Sequence, residues 1–389
     1  MGIVGVGNMG SIHAGYMDTV PNAKLAAICD TDPKKLETVG AKVPNAKRFA
    51  TSDEMLDGGL IDAVLIATPH YDHPPIAVEA FKRGIHVLCE KPVAVTVGAA
   101  RELNDAYAGF LKKNPKLKFG VMFNQRTRPV YRKMREMIAE GELGEISRIT
   151  WLITDWFRSW TYYASGGWRA TWAGEGGGVL LNQCPHNLDL IQWIVGGMMP
   201  KRVTGIASIA KTHPIEVEDD VHAILEYENG AVGHFITTTG ELPGTNRLEI
   251  VGDKGRLIAE GSELHLRMVK GGGTDYILRN SPDLFPTVER WDVEVPVKKA
   301  REGHQVVTED FVKSIVKGIE LMSPGVEGVK GLELGNAMLM AGLTRTPVEL
   351  PMDGDAYETF IKDLIRKYGG KKTLGTKEGA GIDMAASFG

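Results

Sequence analysis

The chain is short of several things, and each shortage narrows what it can be. Three cysteines, Cys29, Cys89 and Cys184, lie far apart in 389 residues. An odd and scattered set does not suggest a disulfide framework, and a reducing cytoplasm is the expected location. Excess charge of either sign is missing: 45 Lys and Arg stand against 49 Asp and Glu, a formal net charge of −4. Neither nucleic acid nor an anionic membrane surface is therefore an expected partner. No apolar run approaches the ~20 residues needed to span a bilayer. The opening "MGIVGVGNMG" enters a strand at once, so no secretory leader is expected in it. No internal repeat is visible. What is present is the composition of a globular protein, 43% hydrophobic and 24% charged, with a length that predicts two domains.

The first third carries the clearest signal. "IVGVGNMG" sets Gly5, Gly7 and Gly10 in a GxGxxG spacing, with Asn8 and Met9 between the second and third glycines, directly after a short apolar strand. A helical stretch follows, then "KLAAICD", a second apolar run closing on Asp30. Gly5 permits a tight turn, Gly7 lets backbone approach a pyrophosphate, and Gly10 lets helix and strand pack closely. The helix N-terminus offers free N–H groups to phosphate. Asp30 is placed to hold ribose hydroxyls and to repel a 2′-phosphate, which favours NAD over NADP; Lys34 and Lys35 oppose that preference if they turn back toward the ribose. "DTDP" also reads as a helix start, so Asp30 has a capping alternative. Strands and helices then alternate through "DAVLIATP", "PPIAVEAFKRG", "IHVLCEKP", "VGAARELNDAYAGFLKK" and "KFGVMF", the last counted as a sixth strand. This predicts a doubly wound parallel sheet over residues 1–123. Ligands of such sheets gather at the carboxyl ends of the strands, where Thr68, Pro69, His73, Glu90 and Lys91 fall.

From 124 to 368 the pattern changes. A helix, "VYRKMREMIAEG", precedes long strands: "EISRITWLIT", "KRVTGIASIA", "DVHAILEYENGAVGHFITTTG" and "NRLEIVGDKGRLIAEG". Asn229–Gly230 between apolar alternations is a hairpin signal. A large, mostly antiparallel sheet with helices packed on it is expected, giving an α/β chain of two unlike domains. Five of the seven tryptophans crowd between Trp151 and Trp172. Helices are predicted near "TEDFVKSIVKG", "LELGNAMLMAGL" and "GDAYETFIKDLIRKY", and 369–389 reads as a Gly-rich arm or disordered end. No metal is expected: "HPIEVEDDVH" matches no compact ligand set, and on an alternating strand half of those side chains point away.

Within this region "GGGVLLNQCPHNLDL", residues 176–190, reads as a glycine-led helix bent at Pro185. Asn182, His186 and Asp189 would share one face. Such a stripe suggests a site wall, or a structural contact between domains. Asp189 reads as a structural hydrogen bonder and Cys184 as a small buried apolar residue. Trp168 and Arg169, just ahead of the glycines, can reach the same cleft.

"GVGNMG", "ATPHYDH", "CEKP" and "GGGVLLNQCPHNLD" together resemble the Gfo/Idh/MocA oxidoreductases, over roughly residues 3–368. The resemblance implies a Rossmann domain plus an α/β domain whose open sheet forms a homodimer or homotetramer. It implies redox chemistry at a secondary hydroxyl of a sugar, glycoside or cyclitol, with a catalytic Lys91 before a cis Pro92 and His186 in the place of the family's catalytic histidine. Arg126 in "NQR" resembles a substrate position. One departure stands out: the family's usual aspartate four residues before the histidine is here Asn182, and an amide can orient a hydroxyl but cannot accept its proton. The expected arrangement is His186 as base, Lys91 polarising the same oxygen and Asn182 orienting it, with the His and Lys roles exchangeable. A redox glycosidase that keeps tightly bound NAD for oxidation and elimination is the main alternative. A non-catalytic NAD- and sugar-sensing protein is the third.

Overall fold

A computed structural model describes residues 1–375; the remainder of the expected tail, 376–389, lies outside the described residues. The first sheet has six parallel strands: β1 (Gly2–Val4), β2 (Ala27–Cys29), β3 (Lys47–Phe49), β4 (Ala63–Ile66), β5 (His86–Cys89) and β6 (Phe119–Val121), in the order β3-β2-β1-β4-β5-β6. Helices α1 (Asn8–Tyr16), α2 (Pro33–Lys42), α3 (Ser52–Asp57), α4 (His73–Lys82) and α5 (Val97–Leu111) connect them. Strands β1, β2, β4 and β6 are buried along their length, which is why each reads as an unbroken apolar run. The sequence does not announce β3, because it is an edge strand whose Lys47 and Arg48 are exposed.

The second sheet has nine strands: β7 (Ile146–Ile153), β8 (Arg202–Ile209), β9 (Glu218–Glu226), β10 (Val232–Thr238), β11 (Asn246–Gly252), β12 (Gly255–Glu260), β13 (Glu263–Val269), β14 (Arg290–Glu294) and β15 (Val348–Glu349). Their order is β14-β13-β12-β11-β7-β10-β9-β8-β15. Only the β7–β10 pair is parallel, so the expected antiparallel sheet is mixed at its centre. The helices that follow the first sheet in the chain are α6 (Pro129–Ala139), α7 (Trp160–Tyr163), α8 (Pro185–Trp193), α9 (Thr274–Asn280), α10 (His304–Lys317), α11 (Gly328–Thr344) and α12 (Gly354–Tyr368). The hairpin between β9 and β10 forms around Asn229, whose side chain accepts from the Ala231 N–H at 3.1 Å.

Two local readings are corrected. The glycine-led stretch is not a helix that Pro185 bends; α8 begins at Pro185, its first helical residue. Proline lacks the N–H that a first turn leaves unused, so it starts the helix instead. Residues 176–184 form a run of turns ahead of it. In addition, α10 does not stay with the second sheet. Its Val307 and Phe311 are buried with Ile3, Ile28, Leu65 and Leu88 of the first sheet, and its first residue reaches the cleft described below.

The turns before α8 are held against the sheet. Glu218, at the start of β9, accepts from the N–H groups of Gly178 and Leu180 at 2.8 and 3.1 Å. A Cβ on Gly178 would lie 1.9 Å from the Glu218 main-chain oxygen. Backbone cannot yield that much, so Gly178→Ala is expected to lower stability by about 3 kcal/mol or more, read as a reduced midpoint in urea unfolding.

Candidate active site

A cleft of about 610 Å³ runs along the carboxyl ends of the first sheet and is closed by the second domain. At one end it is lined by Gly5, Gly7, Asn8, Met9, Asp30, Asp32 and Lys35. Gly5 adopts φ +84°, and Gly10 packs so closely that a Cβ would stand 1.8 Å from the Gly5 oxygen; a Cβ on Gly7 would meet nothing within 4 Å. Gly10 is thus a packing residue outside the lining, while Gly7 faces open space. No side chain caps α1, which starts after Gly7, so its first N–H groups remain available to an anion. Asp30 accepts from the Val6 N–H at 2.8 Å and the Asp32 N–H at 2.9 Å. The helix cap is Asp32, which accepts from the Lys34 N–H at 2.9 Å. Asp30 is therefore a cleft carboxylate with lone pairs to spare. These features fit a dinucleotide: phosphates at α1, ribose at Asp30.

Thr68, Pro69, His70 and His73 continue the wall. His73 does not offer a free nitrogen to a ligand. Its ring sits 2.8 Å from the Pro92 oxygen and 2.9 Å from the Thr68 oxygen, tying the ends of β4 and β5 together. His70 pairs with the Glu175 main-chain oxygen at 2.9 Å, and burial, with His73 and Lys91 nearby, lowers its pKa to about 3.

The far end of the cleft collects Glu90, Lys91, Asn182, His186 and His304. The Lys91–Pro92 peptide is cis. Lys91 Nζ donates to the Asn182 main-chain oxygen at 2.8 Å, linking the two domains. Burial holds the lysine below its usual pKa; Glu90 and Glu175 counteract this, and Arg169 and Arg158 add to it. Burial pushes Glu90 up, but a 2.7 Å contact with His13 and the charges of His13, His304 and Lys91 outweigh this and bring it to about 2. Both ring nitrogens of His186 are buried without a hydrogen-bond partner. Burial, then Lys91 and His304, hold that imidazole well below its usual pKa. A buried polar group without a partner is costly, and here it faces a cleft where a ligand can supply one. Lys91 and His186 therefore line the same end of one cleft, and the lysine's charge disfavours a charged imidazole beside it.

The Asn182 side chain is engaged on both sides. Its oxygen accepts from Tyr162 Oη and Gln183 Nε2, each at 2.9 Å, and its amide donates to the buried Glu175 carboxylate. Glu175 also accepts from the Ala170 N–H at 2.6 Å. A carboxylate is thus present behind position 182, supplied by another residue. Trp168 and Arg169 reach the cleft as expected. Arg169 donates to Tyr162 Oη at 2.7 Å and lies 3.6 Å from Glu175.

Arg126 is a correction. It is 1% exposed and absent from the cleft wall. Its guanidinium grips Asp189 at 2.7 and 2.6 Å and Glu327 at 2.5 Å. The bidentate pair anchors α8 from behind, in accord with a structural Asp189. The acids and histidines of 213–222 serve other ends: His213 pairs with Asp219 at 2.9 Å, and no metal-holding group occurs among the described residues. Sequence reasoning missed Tyr162, Glu175, Arg158, Trp156 and His304 at the site. Tyr162 and Trp156 lay within the visible aromatic cluster, and Glu175 precedes the glycines. His304, more than 100 residues downstream, carried no local signal.

Fold and site together define a two-domain oxidoreductase with a dinucleotide cleft. Comparison with known proteins agrees. Residues 1–109 match the oxidoreductase family with an NAD-binding Rossmann fold, and residues 131–258 match the Gfo/Idh/MocA C-terminal domain. The chain belongs to the Gfo/Idh/MocA family and is an NAD-binding oxidoreductase. It is 25% identical to inositol 2-dehydrogenase of Rhizobium meliloti, over 86% of this chain and 94% of that protein. The WlbA dehydrogenase of Bordetella pertussis, solved with NADH and UDP-GlcNAcA, superposes with a TM-score of 0.74 at 26% identity, covering 90% of this chain and 98% of that one. Levoglucosan dehydrogenase, solved with NADH and levoglucosan, shares the fold, with a TM-score of 0.73 at 22% identity, over 90% and 99% of the two chains.

Asn182→Asp would set a second carboxylate against buried Glu175. Like charges there raise the pair's pKa values. Stability should fall by ~1–3 kcal/mol at pH 8 and recover as pH drops and one group protonates. Glu175→Gln in the same chain should cancel the loss, as read by a double-mutant cycle of urea unfolding.

Proposed function

We propose that this protein is an NAD-dependent dehydrogenase acting on a secondary hydroxyl of a sugar, glycoside or cyclitol. The single observation that carries this is the unpartnered His186 imidazole beside the Lys91 amine at the end of a dinucleotide cleft. Bound NAD supplies the acceptor for hydride from the carbinol carbon. This chain's own residues handle the proton and the oxygen. One of the pair accepts the hydroxyl proton while the other hydrogen-bonds the same oxygen as charge develops on it. The charge coupling favours Lys91 as acceptor. If His186 took the proton beside a lysine that was already charged, two adjacent cations would result. If a neutral Lys91 took it, only one would, and His186 would donate its N–H to the oxygen. This exchanges the roles first expected. Asn182, with its side chain held by Tyr162 and Glu175, and Trp168 shape the wall around the ring, and an aromatic face suits the C–H face of a sugar.

Asp30 is proposed to set the preference for NAD over NADP. We propose a cytoplasmic site of action, since Cys29, Cys89 and Cys184 are all free and buried. We also propose a homodimer or homotetramer through the outer face of β8 and β9, where Ile206 and Ile224 are about half exposed. No helix among the described residues is long and apolar enough to cross a membrane.

The test is a panel of free sugars, glycosides and inositols assayed with NAD and NADP in parallel, following NADH absorbance and aglycone release together. Net NADH formation with NAD is expected. Aglycone release with no net NADH would instead establish redox glycoside cleavage. Lys91→Ala and His186→Ala should each bind NAD almost normally and lose ~10²–10⁴-fold in kcat. Lys91→Arg keeps the charge but not the acceptor, so it should be as poor as Lys91→Ala. Substantial activity in Lys91→Arg would return the acceptor role to His186. The acid side of the kcat profile should fall as Lys91 protonates, because only the neutral amine accepts.

A further inference from the structure

Trp168 and Arg169 of the cleft wall belong to a turn that its own sequence holds only weakly. Gly166 and Gly167 precede them, and glycine gives a turn little stiffness. The Arg169 N–H closes the turn onto the Gly166 oxygen at 3.3 Å. Ala170, which leaves the turn, takes φ +55°, a left-handed conformation that its Cβ disfavours. Contacts from outside the turn therefore keep it in shape. The Ala170 N–H donates to Glu175 at 2.6 Å, and the Ala170 oxygen accepts from the Glu216 N–H at 3.3 Å.

A further support comes from the end of the described chain. Lys372 Nζ donates to the Gly166 oxygen at 3.1 Å and to the Arg169 oxygen at 2.8 Å. It thus spans the two ends of the turn, with Trp168 between them. Burial lowers the pKa of this lysine, Glu175 and Glu216 oppose that, and Arg169 adds to it. The two carbonyl oxygens offset part of the desolvation. The arm that carries Lys372 is itself docked. It follows α12, which lies against α5 of the first domain. A Cβ on Gly354 would stand 3.1 Å from the Gly98 Cα, and Arg101 donates to the Met352 oxygen at 2.9 Å. Gly370 turns the chain at φ +77°, and its N–H donates to the buried Glu216 carboxylate at 2.8 Å. A turn of the cleft wall is in this way fastened from a helix seated on the first domain.

We propose that Lys372 is a positioning residue for the substrate. By clamping residues 166–169 it keeps the Trp168 ring in the cleft wall, where it meets His70 edge-on at 6.1 Å. It so sets affinity for the sugar without touching it. This rests on the dehydrogenase reading above and deepens it. Without the clamp the turn is ordered for only part of the time, and apparent affinity falls with the ordered fraction. The phosphates and adenine ribose of NAD are assigned to α1 and Asp30, so the cofactor should bind as before.

Lys372→Met keeps the apolar stem and removes the donor; it is tested in the full chain, with Lys371→Met at the exposed neighbour as a control. Hydrogen exchange followed by mass spectrometry reads the turn directly and needs no substrate. Peptides over 164–171 should exchange faster in Lys372→Met, and peptides of the two sheets should not. Kinetics use D-glucose, D-galactose, methyl β-D-glucoside or myo-inositol, whichever the parent oxidises. The KM for that compound should rise about tenfold while kcat and the KM for NAD hold, the mark of lost binding common to ground and transition states. Lys372→Arg should recover part of the affinity, and Lys371→Met should match the parent. Unchanged exchange over the turn overturns the proposal. So does an unchanged KM, or a joint fall in kcat, NAD affinity and melting temperature, which would make the contact structural only. Faster exchange in the turn with no oxidation of any of these compounds supports the clamp and counts against the dehydrogenase reading alone. Oxidation with exchange and KM both unchanged does the reverse.

Discussion

The arrangement depends on one hydrogen bond across the domain boundary, from Lys91 Nζ to the main-chain oxygen of Asn182. Lys91 follows β5 of the first sheet; Asn182 sits in the turns that precede α8. The bond forms only if those turns lie close to both domains. Gly176 permits this on one side, where a Cβ would stand 2.2 Å from a methyl of Val95, and Gly178 on the other, against Glu218. The glycine run is therefore a fitting element between two domains. Because the lysine uses a backbone oxygen, the Asn182 side chain is left to Tyr162 and Glu175.

This explains how the chain accommodates asparagine where the resemblance led to an expected aspartate. The amide donates to Glu175, which an aspartate could not do when ionised. The site keeps a buried carboxylate near Lys91, moved one residue further from the cleft. Behind the same wall the Arg126–Asp189 fork fixes α8, so the imidazole of His186 is presented from a helix anchored at full burial. Rigid support of this kind lets a polar group remain without an internal partner until a ligand arrives.

Much of this was legible in the sequence where chemistry is local. The GxGxxG turn, the aspartate after the second strand, and the Glu–Lys–Pro end of β5 each state their geometry within a few residues. The two-sheet division follows from strands alternating with helices, then strands alone. What was not legible depends on distance along the chain or on edge position. Strand β3 is exposed and lacks an apolar run. The resemblance made Arg126 a substrate residue, but its burial against Asp189, 63 residues later, has no mark in the local sequence. The Pro185 bend was misjudged because a proline inside a helical pattern and a proline that starts one look alike until the preceding turns are seen. His304 enters the cleft from α10 only because that helix returns to the first sheet.

The most direct measurement is a crystal structure of the protein with NAD bound. The account predicts the pyrophosphate at the start of α1, the adenine ribose on Asp30, and the nicotinamide ring in contact with the space between Lys91 and His186. A nicotinamide ring seated elsewhere, or either side chain turned away from it, would contradict the account.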